Sequence, residues 1–112
     1  MELGLEGKVA IVTGGSKGIG RATALCLAQE GANVVICARG VEDLEEAASA
    51  ISEISGRPVL SVRADMTVLE DIQNLVATTV SELGGVDILV NNAVNSVAAP
   101  FLELYDEDWL NH

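Results

Sequence analysis

The sequence predicts an α/β domain built as a doubly wound parallel sheet, in the order β-α-β-α-β-α-β. Three observations carry that reading. Short apolar, β-branched runs recur along the chain and are largely continuous, as strands buried on both faces are. Stretches of helical periodicity separate them, so each run reaches the next through a crossover that makes the strands parallel. A glycine-rich segment lies between the first run and the first helical stretch.

The first strand is "KVAIV" (8–12), followed by a helix from about Gly18 to Glu30 with Ile19, Ala22, Cys26 and Leu27 on one face. "NVVICA" (33–38) is the second strand. The second helix carries Leu44, Ala47, Ala48, Ile51 and Ile54 inward, and leaves Glu42, Asp43, Glu45, Glu46 and Glu53 mostly to solvent. "PVLSVRA" (58–64) is the third strand. The third helix has Ile72, Leu75, Val76, Thr79, Val80 and Leu83 at helical spacing, and Thr67 with Glu70 fits a capping box at its start. Gly31, Gly56 and the Gly84–Gly85 pair follow the three helices, where a left-handed cap is wanted. "VDILVN" (86–91) is the fourth strand.

Composition narrows the partners. Hydrophobic residues make up 49% of the 112 and aromatics 3%, which suits aliphatic strands under packed helices. Six basic and seventeen acidic residues give a formal charge of −11, which argues against nucleic acid and anionic membranes. The start "MELGLEG" has no signal-peptide pattern, and no apolar stretch reaches the ~18 residues of a membrane span, so a soluble cytoplasmic protein is expected. Cys26 and Cys37 are expected to be reduced, buried and inert. No metal-ligand spacing exists, and the one histidine is His112.

In an open parallel sheet, ligands bind beyond the carboxyl ends of the strands, where the strand order reverses. "TGGSKGIG" (13–20) falls there. The start of the first helix presents unpaired N–H groups and a positive dipole end, which suits a phosphate or pyrophosphate. Gly14 permits the tight turn, Gly18 lets the backbone approach a ligand, and Gly20 lets the helix pack closely on the strand. The spacing is G-x-x-x-G-x-G, and neither G-x-G-x-x-G nor a P-loop is present. Glycine also serves plain turns; its position between a buried strand and a helix makes the binding role the stronger reading. At the end of the second strand, the place of a ribose-gripping carboxylate holds Ala38, followed by Arg39. Arg39, with Lys17 from the glycine segment, suits a 2′-phosphate, although both could be solvated surface cations. This is a Rossmann-type arrangement.

Together these features resemble the short-chain dehydrogenase/reductase family. The matching stretches are "GKVAIVTGGSKGIG", "GANVVICAR", "RADMT" and "VDILVNNAV", in the family's order and interval. The resemblance implies an NAD(P)-dependent oxidoreductase acting on alcohols or carbonyl compounds, with NADP favoured over NAD here. It implies cofactor contacts at Gly14, Ser16, Lys17, Gly18, Ile19, Gly20, Arg39, Asp65, Met66, Asn91 and Ala93. Asp65 would accept from the adenine amino group, with the Met66 backbone beside it. Asn91 would steady the sheet centre and border the ribose. Asn92 could equally satisfy buried backbone groups. Val94 departs from the family's usual glycine, and its two methyls narrow the space beside the cofactor.

The family's chemistry uses a tyrosine with a lysine four residues later. Here the one tyrosine, Tyr105, is followed by Trp109, and the lysines are Lys8 and Lys17. No catalytic residue is assigned. The apolar fourth strand calls for a further strand beside it. The expectation is therefore a single NAD(P)-binding domain over 1–112, truncated after its fourth strand. It would be the N-terminal fragment of a longer reductase domain, whose complete form handles a small alcohol or carbonyl substrate and assembles as a homo-oligomer. The alternative is a non-catalytic NAD(P)-binding module.

Overall fold

The computed structural model describes residues 4–92. Seven elements alternate as read from the sequence: β1 (Val9–Thr13), α1 (Gly18–Gln29), β2 (Asn33–Ala38), α2 (Val41–Ser55), β3 (Leu60–Arg63), α3 (Leu69–Leu83) and β4 (Ile88–Asn91). The strands form one parallel sheet in the order β3-β2-β1-β4. The chain steps outward from β1 to β3, then crosses back to place β4 on the other side of β1. The reversal point is therefore between β1 and β4, at the end where Thr13 pairs with both Cys37 and Asn91.

That path puts helices on both faces of the sheet. Val12, Val34 and Ile36 pack with Ala24, Ala28, Leu44, Ala47 and Ile51 of α1 and α2. Ile11, Val35, Cys37 and Val62 point the other way and pack with Ile72, Leu75 and Val76 of α3. Alternate residues of β1 and β2 thus serve opposite cores, which is why their sequences are apolar without a break. Gly56 and Gly84 close α2 and α3 at φ 73° and 87°, as the sequence leads one to expect. The third strand opens at Leu60 instead of Pro58, since proline brings no N–H to a ladder.

Three local expectations are corrected. The buried stripe of α1 is Gly20, Ala24 and Ala28. Ile19 is 76% exposed, and Ala22 and Cys26 also face outward. Small residues at i, i+4 and i+8 let the helix lie close to the sheet, and this outweighs burial of the larger side chains. Cys26 is accordingly an exposed thiol, while Cys37 is buried and its pKa is pushed up to about 12 by loss of solvent. On α2, Ile54 is 61% exposed, and the buried stripe is Leu44, Ala47, Ala48 and Ile51.

Thr67 does not cap α3. The helix is preceded by Val68, with no side-chain cap. Thr67 instead donates its N–H and hydroxyl to Asp65 Oδ1, at 2.9 and 2.6 Å. An aspartate two residues upstream offers a charged acceptor in an Asx turn, and the threonine is recruited to it before the helix begins.

Candidate cofactor site

The loops that follow β1, β2 and β3 meet Asn92 at the carboxyl end of the sheet and enclose a cleft of about 560 Å³. Gly14, Ser16 and Lys17 form one wall, and Ala38, Arg39 and Gly40 a second. Ala64 to Thr67 form the third, with Asp43 of α2 on the rim. A smaller cleft of about 260 Å³, bounded by Asn33, Pro58, Leu60 and Leu83, lies at the opposite end of the strands.

The glycine loop is held down by β2. The N–H groups of Gly14 and Gly15 donate to the Cys37 carbonyl at 2.9 and 3.3 Å. Gly14 has φ 66°, the left-handed turn that sends the chain back over the strand end. A Cβ on Gly20 would run into the Gly14 carbonyl oxygen and come within 2.8 Å of Asn92 Nδ2, so helix, loop and β4 end meet at one point. A Cβ on Gly15 would stand 2.8 Å from Ile36. The sequence reading had no role for Gly15; the doublet Gly14–Gly15 was the available signal. Lys17 precedes the first turn of α1 in extended conformation and places no side-chain acceptor on it. The first N–H groups of the helix thus have neither an intrahelical partner nor a side-chain cap.

Thr13 ties the two strands at the reversal point. It is fully buried, accepts the Asn92 N–H at 2.8 Å and approaches Asn91 Oδ1 at 3.1 Å and the Val90 carbonyl at 3.4 Å. Asn91 thus turns its Oδ1 to Thr13 while the residue stays exposed, and Asn92 lines the cleft. Sequence reasoning passed over Thr13, whose hydroxyl finds its partners 77 and more residues away.

On the far wall, the Thr67 hydroxyl and N–H, reinforced by the charges of Arg39 and Arg63, hold the Asp65 carboxyl below its ordinary range. Its backbone N–H donates to Asp71 Oδ2 at 2.8 Å, and the same oxygen accepts from Arg63 Nη1 at 2.9 Å. Arg63 Nε in turn reaches the Arg39 carbonyl at 3.4 Å. Met66 contributes to the cleft wall while most of it is buried in the core under α3.

Of the residues singled out from sequence, Gly14, Ser16, Lys17, Arg39, Asp65 and Met66 come together around the cleft. Gly18 and Gly20 open α1 beside it. Ile19 points to solvent and Asn91 to Thr13. Ala93 lies outside the described residues, as do Val94, Tyr105 and Trp109. Among the described residues no group of three acidic, cysteine or histidine side chains could hold a metal, and no helix is long and apolar enough to cross a membrane.

A glycine turn into a helix start, at the reversal point of a parallel sheet, defines a dinucleotide-type site. The chain belongs to the short-chain dehydrogenase family, whose profile matches residues 8–112. It is 43% identical over 106 residues to the short chain dehydrogenase/reductase astE of Aspergillus oryzae, covering 94% of this chain and 41% of that protein. It is 43% identical over 108 residues to the L-xylulose reductase of Mus musculus, covering 96% and 40%. Among solved structures, the L-sorbose reductase of Gluconobacter frateurii, in complex with NADPH and L-sorbose, superposes with a TM-score of 0.81 at 46% identity. That match covers 85% of this chain and 36% of the reductase. The chain thus spans about two fifths of the length of these relatives.

Proposed function

We propose that this chain binds NADP and forms the cofactor-holding part of a short-chain reductase that interconverts an alcohol and a carbonyl compound. The observation that carries the reading is the end of β2, where Ala38 replaces a ribose-gripping carboxylate and Arg39 follows it on the cleft wall. Lys17 and Arg39 line the cleft together with Asp43 and Asp65, and Arg39, which makes no ion pair among the described residues, favours a ligand with an additional phosphate. The local geometry suits a dinucleotide as well, since the start of α1 is uncapped and Gly20 leaves no side chain between helix and loop.

In this reading the opening N–H groups of α1, with Gly14, Ser16 and Gly18, hold the pyrophosphate. Ile19 contributes its main chain to that helix start. Arg39 and Lys17 take the 2′-phosphate, Asp65 and the Met66 main chain the adenine, and Asn91 and Ala93 border the nicotinamide ribose. The cofactor, when bound, supplies the ring that gives or takes hydride. Proton transfer to the substrate oxygen would fall to the family's tyrosine–lysine pair, which this sequence does not contain. That pair would then belong to a further part of a longer reductase domain. The coverage of about two fifths of the relatives, and the NADPH bound to the Gluconobacter frateurii enzyme, support it.

The test is calorimetric titration of the full-length protein with NADPH and with NADH, for wild type and Arg39→Ala, beside turnover on a panel of carbonyl compounds. Loss of Arg39 should weaken NADPH about ten- to a hundredfold, the worth of a charge-assisted hydrogen bond, and leave NADH nearly unchanged. Equal losses for both cofactors would make the arginine structural and remove the NADP assignment. Cofactor binding without turnover of any carbonyl compound would favour a non-catalytic binding module.

A further inference from the structure

Lys17 reaches across the mouth of the cleft to α2. Its Nζ stands 3.1 Å from Asp43 Oδ2, and the two side chains are 77% and 60% exposed. Both residues line the same cleft as Arg39, which makes no ion pair among the described residues and acts electrostatically on Asp65. The neighbouring cations are held differently. Arg21 grips Glu46 with two hydrogen bonds of 2.7 and 3.1 Å, and Arg63 is fixed between Asp71 and the Arg39 carbonyl. The Lys17–Asp43 contact is a single-point pair between exposed groups, the kind that contributes little and exchanges readily.

A ligand phosphate placed between Lys17 and Arg39 would meet Asp43 in two ways. The carboxylate competes for the Lys17 ammonium, and its charge repels the incoming dianion. Neither effect reaches a ligand with a plain 2′-hydroxyl, because the Lys17–Asp43 pair then stays as it is.

Building on the NADP reading above, we propose that Asp43 is a specificity-determining residue that weakens NADP binding by holding Lys17, and so narrows the preference for NADP over NAD. The bound 2′-phosphate takes Lys17 from Asp43, and on release Lys17 returns. Arg39 supplies the standing recognition and Lys17 the adjustable part.

The experiment measures dissociation constants for NADPH and NADH in the full-length protein, for wild type, Asp43→Asn, Lys17→Met, Arg39→Ala and the Asp43→Asn/Lys17→Met pair. Asp43→Asn should tighten NADPH about two- to fivefold and leave NADH unchanged within error. The gain should shrink in 1 M salt, where exposed charges are screened within ~3 Å, and should disappear when Lys17 is already methionine. An unchanged or weakened NADPH affinity in Asp43→Asn would overturn the proposal, as would an equal gain for both cofactors. So would a gain that survives undiminished in the double variant. Arg39→Ala separates the two layers: if it selectively weakens NADPH while Asp43→Asn is neutral, only this inference fails. If it weakens both cofactors alike, the NADP reading itself fails.

Discussion

Asp71 Oδ2 stands 2.8 Å from the backbone nitrogen of Asp65, and this contact fixes where the chain turns from β3 toward α3. The carboxylate lies in the first turn of α3, where the helix dipole favours a negative charge. Because it also receives Arg63, which touches the Arg39 carbonyl, it links two walls of the cleft. Asp71→Ala should therefore loosen this side of the cleft as a whole. NADPH and NADH affinities should both fall, by about three- to tenfold, in contrast to the NADPH-selective effect expected of Arg39→Ala. Asp71→Asn, which keeps an acceptor oxygen for the Asp65 N–H, should recover part of the loss. A change confined to NADPH would show that Asp71 acts through charge alone.

Gly20→Ala tests the close approach of α1. The added methyl meets the Gly14 carbonyl, which is backbone and cannot swing aside, so the helix must lift from the loop. Overpacking of this kind costs about 1–3 kcal/mol. The melting temperature of the full-length protein should fall by several degrees, and the affinity for both cofactors should fall with it. Ala22→Gly, at an exposed position of the same helix, serves as the control: it should cost about 1 kcal/mol of helix propensity and leave cofactor affinity unchanged.

The two cysteines should react very differently. Cys26 is exposed on α1, whereas Cys37 is buried in β2 with its thiol pushed up to about 12. Brief treatment with iodoacetamide at pH 8, read by peptide mass mapping, should modify Cys26 and leave Cys37 intact until denaturant is added. Modification of Cys37 under native conditions at the same rate would contradict its burial.

The Asp65–Thr67 turn predicts a pH signature. Asp65 is held below its ordinary value in the folded state, so its contribution to stability is present above the unfolded-state value and is lost as pH falls through the folded one. Thr67→Val removes the hydroxyl that leads this effect. The stability gap between wild type and Thr67→Val, followed by denaturant unfolding from pH 7 downward, should be full at neutral pH and close in the acid range. A gap that is constant with pH would mean the threonine contributes by packing alone.

How much of this was legible in the sequence depended on whether the deciding interaction is local. All four strands were readable, because Val, Ile and Leu runs such as 33–38 leave no other way to bury both faces. The inward face of α1 was not. "GIGRATALCLAQ" is small or apolar almost throughout, so periodicity singles out no stripe, and the choice falls to the approach of Gly20 to Gly14. Thr67 was misread because a capping box and an Asx turn compete for the same threonine, and Asp65 is the stronger acceptor. The glycine segment and Arg39 were visible as cleft residues from their place in the alternation. Asp43 and Asp71 were not, being two of seventeen acidic residues, and only the fold reveals which cations they meet.

The Thr13 hydroxyl has a consequence for the order in which this site comes into being. Its partners lie on β4, at a sequence separation of 77 to 79 residues, among the longest-range contacts in the described chain. Closing so long a loop is entropically costly before any contact rewards it, so β1 and β2 can pair while the crevice between β1 and β4 is still missing. On a ribosome, the glycine turn emerges early and waits, without its Asn92 neighbour, until some eighty further residues have followed. The Asn92 amide then closes on Thr13, and the start of α1 gains its neighbour at the end of β4. A nascent chain halted before β4 would carry all three cleft walls on a three-stranded sheet and lack only the Asn92 side of the lining.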